Sequence, residues 1–308
     1  MSNKISIIIS SLFFLFASCD DVINPKLPEA EAVLVVDAWI NNLPQEQVIK
    51  LTSSQSYFDN SLPIGVEGAE VFITSATETY LFSHTSNGSY VWTPGGNQTF
   101  GVIGNEYMLT VKHDNEEFIA SAVLSRVPKI DSITFRYEEE STFFPESYFG
   151  EFWSRDPEGE GDTYWIKSYK NEQHLEKPAE INIAYDAGFS KGGGLDNLIF
   201  IPPIRDAVNP FDEDEADEFI SPYADGDSLY VEIHSINEDA FNFLTNVRVQ
   251  TDRPGGFAEL FAQPLANVPT NIENTNPNSS KIAQGFFNVA AVEFNGKRLD
   301  VSKVPKGN

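Results

Sequence analysis

The chain has 308 residues and carries 20 Lys and Arg against 46 Asp and Glu, a formal net charge of −26. This excess of negative charge argues against nucleic-acid binding, because contacts to phosphates need Lys and Arg to displace counterions. Hydrophobic residues make up 41% of the chain, and its 20 Gly and 18 Pro are ordinary numbers, so we expect a folded protein rather than a disordered one.

The only cysteine of the chain, Cys19, follows a short apolar segment at the N-terminus. Lys4 supplies one positive charge, residues 5–16 are almost wholly apolar, and Ala17 and Ser18 precede the cysteine. The apolar run is too short to cross a membrane but has the length of a secretory signal. The pattern resembles a bacterial lipobox, which implies that residues 1–18 are a signal peptide and that Cys19 is acylated and anchored by lipid. A buried cysteine within the apolar signal segment, followed by ordinary signal cleavage, is the alternative.

Two aspartates, Asp20 and Asp21, follow the cysteine and begin a tether over residues 19–31. Acidic residues at this place resemble the export signal of Bacteroidota-type surface lipoproteins, which implies an outer-membrane lipoprotein on the cell surface. In enterobacteria an Asp there tends to retain a lipoprotein at the inner membrane, and a plain solvated linker also fits the pair. We predict the cell surface.

Residues 32–126 are predicted to form an immunoglobulin-like or transthyretin-like β-sandwich. Segments rich in β-branched and aromatic residues alternate with turn signals such as Asn87-Gly88. Apolar residues recur at every second position, for example at Val71 and Ile73, as expected of half-buried strands. The predicted strands lie at 32–40, 47–54, 69–76, 79–85, 89–93, 106–113 and 116–124. About seven such strands are typical of a sandwich.

Residues 127–308 are predicted to form a second β-rich domain with about one helix. Ser235 and Glu238 match a capping box ahead of an apolar repeat, so a helix is predicted from there through about residue 250. Residues 187–227 are predicted to be a loose, acidic connection. The predicted strands lie at 130–139, 148–154, 162–170, 180–186, 227–236, 257–262 and 284–294.

The order of several segments resembles a family of uncharacterised Bacteroidota outer-membrane lipoproteins that is known as a domain of unknown function. The segments are LVVDAWI, GAEVFI, GSYVW, GNEYMLTV, IDSITF, DPEGEGDTYWI, DGDSLYVEIHSI, FAQPLANVPTNI and GFFNVAAV. Members are often encoded beside TonB-dependent receptors. The resemblance therefore implies a transporter partner, and it implies no established activity.

The segment DPEGEGD places Asp156, Glu158, Glu160 and Asp162 at alternate positions. Carboxylates at the first, third and fifth positions of a loop are typical of Ca²⁺ sites. The twelfth position is Lys167 instead of Glu and no helices flank the segment, so it is not an EF-hand. A looser Ca²⁺ loop and a solvated hairpin are both compatible with the pattern.

A second acidic segment, FDEDEADEF at 211–219, includes Asp212 and Asp214. Such a density of carboxylates is typical of a solvated loop whose charges repel each other. It would also attract a hard cation, so Ca²⁺ is the one cofactor that the sequence suggests.

No catalytic constellation is recognised in the sequence. The segment GFSKG places Ser190 in a G-x-S-x-G pattern, but glycines follow it where a nucleophile elbow needs a helix. The four histidines are scattered through the chain, and His113 and His234 are predicted on strand faces. We therefore predict that the protein is not an enzyme.

An aromatic-rich segment at 141–153 offers a candidate binding patch. Its predicted members are Phe144, Tyr148, Phe149, Phe152 and Trp153. Exposed aromatic rings stack on sugars or contact partner proteins. A pair of core strands joined by a loop is the alternative.

These observations favour a lipid-anchored accessory protein that binds a ligand without catalysis and works with a TonB-dependent transporter. A stand-alone surface adhesin or structural module is the alternative. The two hypotheses differ in whether a large β-barrel co-purifies with the protein from solubilised membranes.

Overall fold

The chain is mainly β, as its alternating apolar pattern predicts. The computed structural model describes residues 31–56, 59–96, 98–142, 144–215 and 218–306. The strands and helical segments of the described residues belong to one unit, Ala32–Gln55 together with Asp59–Asn308. The strands are β1 Leu34–Asn41, β2 Gln47–Ser53, β3 Glu70–Thr74, β4 Thr79–Ser86, β5 Ser89–Trp92, β6 Glu106–His113, β7 Glu116–Val123, β8 Ile130–Glu138, β9 Ser147–Ser154, β10 Thr163–Lys170, β11 Gln173–His174, β12 Asn182–Tyr185, β13 Asp212–Glu213, β14 Phe219–Ile220, β15 Ser228–Ile236, β16 Glu273–Asn274, β17 Ala283–Ala290 and β18 Val292–Arg298. The helical segments are Pro178–Glu180, Pro202–Asp206, Glu238–Thr251, Gly256–Phe261 and Val301–Lys303.

The first sheet has nine strands in the order β16-β7-β6-β3-β4-β5-β2-β1-β17. All its pairs are antiparallel except β1 with β17, which run parallel. A parallel bridge between Ser125 and Ala290 joins the chain just after β7 to the end of β17, so the sheet is nearly closed on itself. Because β16 and β17 belong to it, this sheet crosses the boundary predicted near residue 126.

Period-two burial explains why these segments form strands around one core. In β1 the side chains of Val36, Ala38 and Ile40 are buried, whereas Asp37 between them faces outward. Because successive side chains of a strand point to opposite faces, only one face of each strand contributes to the core. The core of the first sheet combines such residues from its neighbouring strands, including Leu51 of β2.

The second sheet contains β11, β10, β15 and β18 in that order, with β12 also paired to β10. On its inner face Tyr164 and Ile166 of β10 are buried beside Leu229, Val231 and Ile233 of β15. The residues between them in sequence point to the opposite side. This opposite side carries the candidate functional site.

A single strand predicted at 284–294 is two strands in the structure. β17 ends at Ala290, β18 begins at Val292, and the chain changes sheets at Ala291 between them. The backbone N–H of Ala291 donates to Ser235 Oγ at 2.8 Å, and its carbonyl accepts from Ser235 N at 2.9 Å. The apolar run is continuous through this point because both halves are buried, so periodicity alone does not reveal the change of sheet.

The predicted helix is confirmed at Glu238–Thr251, but its predicted cap is wrong. Ser235 is buried at the end of β15, and its hydroxyl donates to Ser125 O. The N-cap is Asn237, whose Oδ1 accepts from Ala240 N at 2.7 Å. The helix packs against the second sheet through its buried residues Ala240 and Leu244.

The strand predicted at 257–262 is also wrong, because this segment is the 3-10 helix Gly256–Phe261. Gly255 and Gly256 both have positive φ angles, of 64° and 55°, which turn the chain before the apolar residues. Phe257 and Phe261 remain more than three-quarters exposed. Apolar composition favoured a strand in this segment, although these side chains do not enter a core.

The remaining elements connect and flank the two sheets. β8 and β9 form a hairpin of their own, and β13 and β14 form another within the acidic segment. The connection at 187–227 also contains the short helix Pro202–Asp206. Among the described residues no helix is both long enough and apolar enough to cross a membrane.

Candidate functional site

A concave site lies on the outer side of the second sheet, a pocket with a volume of about 680 Å³. β10, β15 and β18 supply its floor, and Asn41 and Gln45, at the turn after β1, contribute to its wall. A cavity of this size is in the usual range for small-molecule sites, which combine an apolar lining with a few polar groups.

Strand register brings the polar residues of the pocket together. In the antiparallel pair of β10 and β15, Lys167 lies opposite Glu232 and Tyr169 lies opposite Tyr230. Because alternate residues share a face, His234 lies on the same side as Glu232. We call this set the polar face, and it consists of Trp165, Lys167, Tyr169, Tyr230, Glu232 and His234.

Glu232 is held in place by two donors from the polar face. His234 Nε2 lies 2.8 Å from Glu232 Oε2, and the hydroxyl of Tyr169 donates to the same oxygen at 3.2 Å. Burial alone would raise the pKa of Glu232, but these hydrogen bonds and the charge of Lys167 lower it below its ordinary value. The carboxylate is therefore ionised at neutral pH, and its Oε2 is already engaged.

His234 is neutral at physiological pH. Its side chain is only 7% exposed, and burial lowers its pKa to about 4 despite the nearby carboxylate of Glu232. Since Glu232 is an acceptor, the imidazole proton is on Nε2 and points at the carboxylate. His234 therefore acts as a hydrogen-bond donor that fixes Glu232.

Lys167 is the charged side chain of this face whose donors are unused. Its Nζ lies 3.9 Å from the centre of the Trp165 ring, and it makes no hydrogen bond or ion pair within the described part of the chain. Glu232 and Asp37 attract it electrostatically, although burial lowers the pKa of Lys167. An ammonium over an aromatic face gains cation–π energy and keeps its N–H groups available.

The charge of the pocket differs from that of the whole protein. Its lining includes three cations, Lys167, Lys297 and Arg298, and two carboxylates, Glu172 and Glu232. The chain as a whole has more than twice as many acidic as basic residues. The pocket therefore lacks the acidic excess of the chain as a whole.

The predicted lipidation and export residues, Cys19, Asp20 and Asp21, lie outside the described residues. Their roles stay predictions.

The four candidate calcium ligands of residues 156–162 are not directed at one point. Asp156 is fully buried, accepts from Tyr164 Oη at 2.7 Å, and has its pKa raised to about 6 by burial. Asp162 forms an ion pair with Arg126 at 2.6 Å. Glu158 and Glu160 are exposed.

The second acidic segment uses its carboxylates in protein contacts. Asp212 forms an ion pair with Lys177 at 2.5 Å, and Asp214 accepts from Glu218 N at 3.0 Å. In the described ranges no group of three or more His, Cys, Asp or Glu side chains is placed to hold a metal ion. Calcium binding remains a prediction without a preformed site among these residues.

Only part of the predicted aromatic patch is at the surface. Phe144 is half exposed and lies 5.3 Å from Phe219, and Phe149 lies 6.3 Å from the same ring. Phe211, 59% exposed, completes the group at 5.5 Å from Phe219. We call Phe144, Phe149, Phe211 and Phe219 the aromatic cluster.

The other predicted patch residues have different positions. Phe152 is fully buried in the core beside Phe200, so its assignment to the patch is wrong. Tyr148 packs against Tyr137 at 5.3 Å. Trp153 donates to Thr134 Oγ1 and is covered by the guanidinium of Arg205, which lies 4.0 Å from its ring centre. β9 alternates inward and outward side chains, so five aromatics in one segment cannot share a face.

The G-x-S-x-G segment lacks the geometry of a nucleophile elbow. Ser190 is exposed in a turn after β12, and the next helical segment begins only at Pro202. Non-enzymatic function remains a prediction.

The pocket itself was not predicted from the sequence. The motifs YWIKSY and LYVEIH each alternate buried residues with aromatic or charged ones, which reads equally well as a solvated strand face. The sequence feature that indicates a binding site is the presence of Lys167, Glu232 and His234 between large aromatic residues on two strands. Their pairing depends on register, which is not evident from either strand alone.

The pocket-bearing sheet and the nearly closed sheet together define a mainly β protein with a concave polar site. The chain matches the family described as Domain of unknown function (DUF4249) over residues 20–294, and it belongs to that family. No curated protein matches the chain. The predicted resemblance to an uncharacterised family is thus confirmed, whereas its Bacteroidota origin and the link to TonB-dependent receptors stay predictions.

Proposed function

We propose that this protein is a lipid-anchored binding protein of the outer membrane that presents a ligand pocket next to a TonB-dependent transporter. The pocket on the polar face is the observation that carries the binding role. It combines a cavity of about 680 Å³ with an ammonium whose donors are unused and a carboxylate fixed by two hydrogen bonds. Convergent polar groups in a concave site are typical of ligand binding.

The anchor is supported by the lipobox-like N-terminus. Cys19→Ala should release the protein from the membrane fraction, because Cys19 is the only residue of the chain that thiol acylation can use. Ser18→Ala, next to it, should leave the protein membrane-bound and serves as the control. A Cys19→Ala protein that is still processed and still sediments with membranes would contradict the anchor.

The cell-surface location is supported by Asp20 and Asp21. Protease added to intact cells should degrade the wild-type protein, whereas replacing both aspartates with Asn should protect it. A periplasmic protein that is released only on lysis serves as the control for intact cells. Protection of the wild type would assign it to the periplasmic side.

The transporter partner is tested by purification from detergent-solubilised membranes. We expect a large outer-membrane β-barrel to accompany the wild-type protein, and none to accompany the Cys19→Ala form purified from the soluble fraction. A wild-type protein that comes out alone would favour an adhesin or structural module.

The aromatic cluster is the observation that favours this second candidate. Phe144 and Phe211 are more than half exposed and touch Phe219, so apolar surface is presented where the turn between β8 and β9 meets the β13–β14 hairpin. Exposed apolar patches of this kind mark contact sites for other macromolecules. Replacement of Phe144 and Phe211 by Ser should abolish adhesion if the cluster mediates it and should leave transporter co-purification unchanged.

A further inference from the structure

The unused donors of Lys167 indicate what the pocket accepts. Nζ lies over the ring of Trp165 at 3.9 Å, and no carboxylate of the described chain lies within ion-pair distance of it. Lys167 is partly exposed and lines the pocket, so a ligand can reach its N–H groups without displacing a protein acceptor. An anionic ligand group would accept from these donors.

The neighbouring carboxylate does not take this role. Oε2 of Glu232 already accepts from His234 at 2.8 Å and from Tyr169 at 3.2 Å. These two donors hold Glu232 on its own side of the pocket. The attraction between Lys167 and Glu232 is therefore long-range and leaves the N–H groups of Lys167 free to bind.

One further cation lies at the rim. Arg298, at the end of β18, lines the pocket on the same face as Gly296 and Tyr230, and its guanidinium donates to Gly226 O. Tyr230 of β15 contacts Tyr169 at a ring distance of 5.7 Å. The site thus presents the ammonium of Lys167, half-buried aromatic surface and the guanidinium of Arg298.

A small residue keeps this aromatic surface accessible. Gly296 on β18 pairs with Tyr230, and a Cβ at this position would lie 3.0 Å from Tyr230 Cδ2. A side chain there would extend into the cavity that Gly296 lines.

We propose that the pocket binds a small organic anion, with its carboxylate or phosphate group paired to Lys167 Nζ and its carbon skeleton against Tyr169 and Tyr230. This inference deepens the proposed binding function and rests on it. A cationic ligand would meet Lys167 and Arg298, and the carboxylates among the described lining residues are Glu172 and the already engaged Glu232.

Titration calorimetry on the full-length lipidated protein in detergent tests this inference with three anionic probes, benzoate, glucuronate and inorganic phosphate. Benzyl alcohol and glucose are the neutral counterparts of the first two. We expect at least one anion to bind and its neutral counterpart to bind at least about tenfold more weakly, since a hydrogen bond to a charged group is lost. If phosphate alone binds, the anionic group is a phosphate; if benzoate or glucuronate binds, it is a carboxylate.

The variant Lys167→Met keeps the length of the side chain and removes its charge. It should weaken binding of the bound anion at least about tenfold, whereas Lys167→Arg should retain part of it. Lys112→Met is the matched control, because Lys112 pairs with Glu70 on the first sheet, away from the pocket. An unchanged melting cooperativity shows that each variant is folded.

Binding of none of the three anions, or equal affinity in the wild type and in Lys167→Met, would overturn the inference. These results are distinguishable from a failure of the membrane anchor or of the transporter partner. Membrane attachment and barrel co-purification should be the same in Lys167→Met as in the wild type, so their loss would be a failure of the anchor or the partner. If Lys167→Met loses anion binding but keeps membrane attachment and barrel co-purification, the anionic group of the ligand is assigned to Lys167.

Discussion

The neutral state of His234 makes stability depend on pH. Burial lowers its pKa to about 4, from an ordinary value of 6.5 in the unfolded chain. As pH falls below 6.5, His234 becomes protonated in the unfolded chain but stays neutral in the folded protein. The free energy of unfolding therefore falls between pH 6.5 and 4. From pH 7.5 to 5.0 this loss is about 2 kcal/mol. The groups around the imidazole are Glu232, Lys167 and His174.

Asp156 has the opposite effect in the same pH range. Burial raises its pKa to about 6 from 3.8, so the folded protein takes up a proton first as pH falls through 6. Stability is gained, by about 1.4 kcal/mol between pH 7.5 and 5.0. From these two groups alone, the wild type should lose only about 0.6 kcal/mol over this interval.

His234→Gln should therefore reverse the sign of the pH response. Gln keeps an N–H donor for Glu232 but does not titrate, so the variant should gain about 1.4 kcal/mol from pH 7.5 to 5.0. Asp156→Asn should do the opposite and lose about 2 kcal/mol, and the double variant should be nearly flat. Urea unfolding followed by circular dichroism at both pH values measures these free energies.

The comparison between pH values cancels any change in stability that is independent of pH. The double variant controls for additivity, because His234 and Asp156 bond to different partners, Glu232 and Tyr164. If His234→Gln has the same pH response as the wild type, the imidazole titrates normally in the fold. The lowered pKa of His234, and with it the loss of stability in mild acid, would then be wrong.

Three further predictions concern the helix cap, a close backbone contact and calcium. Asn237→Ala should lower the free energy of unfolding by about 1 kcal/mol, as measured by urea unfolding, because a backbone donor of the helix loses its acceptor. Gly285→Ala should destabilise the fold by several kcal/mol more than Gly192→Ala. Both glycines have positive φ, but only a Cβ at 285 would meet backbone, at 1.9 Å from a carbonyl oxygen. Melting curves in Ca²⁺, Mg²⁺ and NaCl at matched ionic strength should coincide, because Asp162, Asp212 and Asp214 are already engaged in protein contacts. A rise in melting temperature specific to Ca²⁺ would support the calcium hypothesis.

Strands with one buried face were predictable because their pattern is local. In β1, Val36, Ala38 and Ile40 alternate with less buried residues, and this period of two requires no knowledge of the partner strand. The helix Glu238–Thr251 was predictable for the same reason. Its first residue was not, because Ser235 and Asn237 are both good caps and only the end of β15 decides between them.

Features that depend on partners at long range were not predictable. At the change of sheet, Ala291 bonds to Ser235, 56 residues earlier in the chain. The apolar pattern is continuous before and after Ala291, so the sequence does not indicate this change. Phe257 and Phe261 lie in a segment of strand-like composition, yet their side chains are exposed. Composition shows which side chains a segment could bury, but whether they are buried depends on the neighbouring elements of the fold.

The pocket belongs to the same class of long-range features, and its chemistry conflicts with stability. Lys167 places an ammonium on Trp165 without a hydrogen-bond partner, although a methionine would cover the same ring at no cost of desolvation. His234 is buried and forced to be neutral, which makes the fold less stable in mild acid. Local choices that oppose stability are expected where a protein binds something. These two residues, both unfavourable for folding, line the same cavity, and this coincidence is the strongest physical reason to place the function of the protein there.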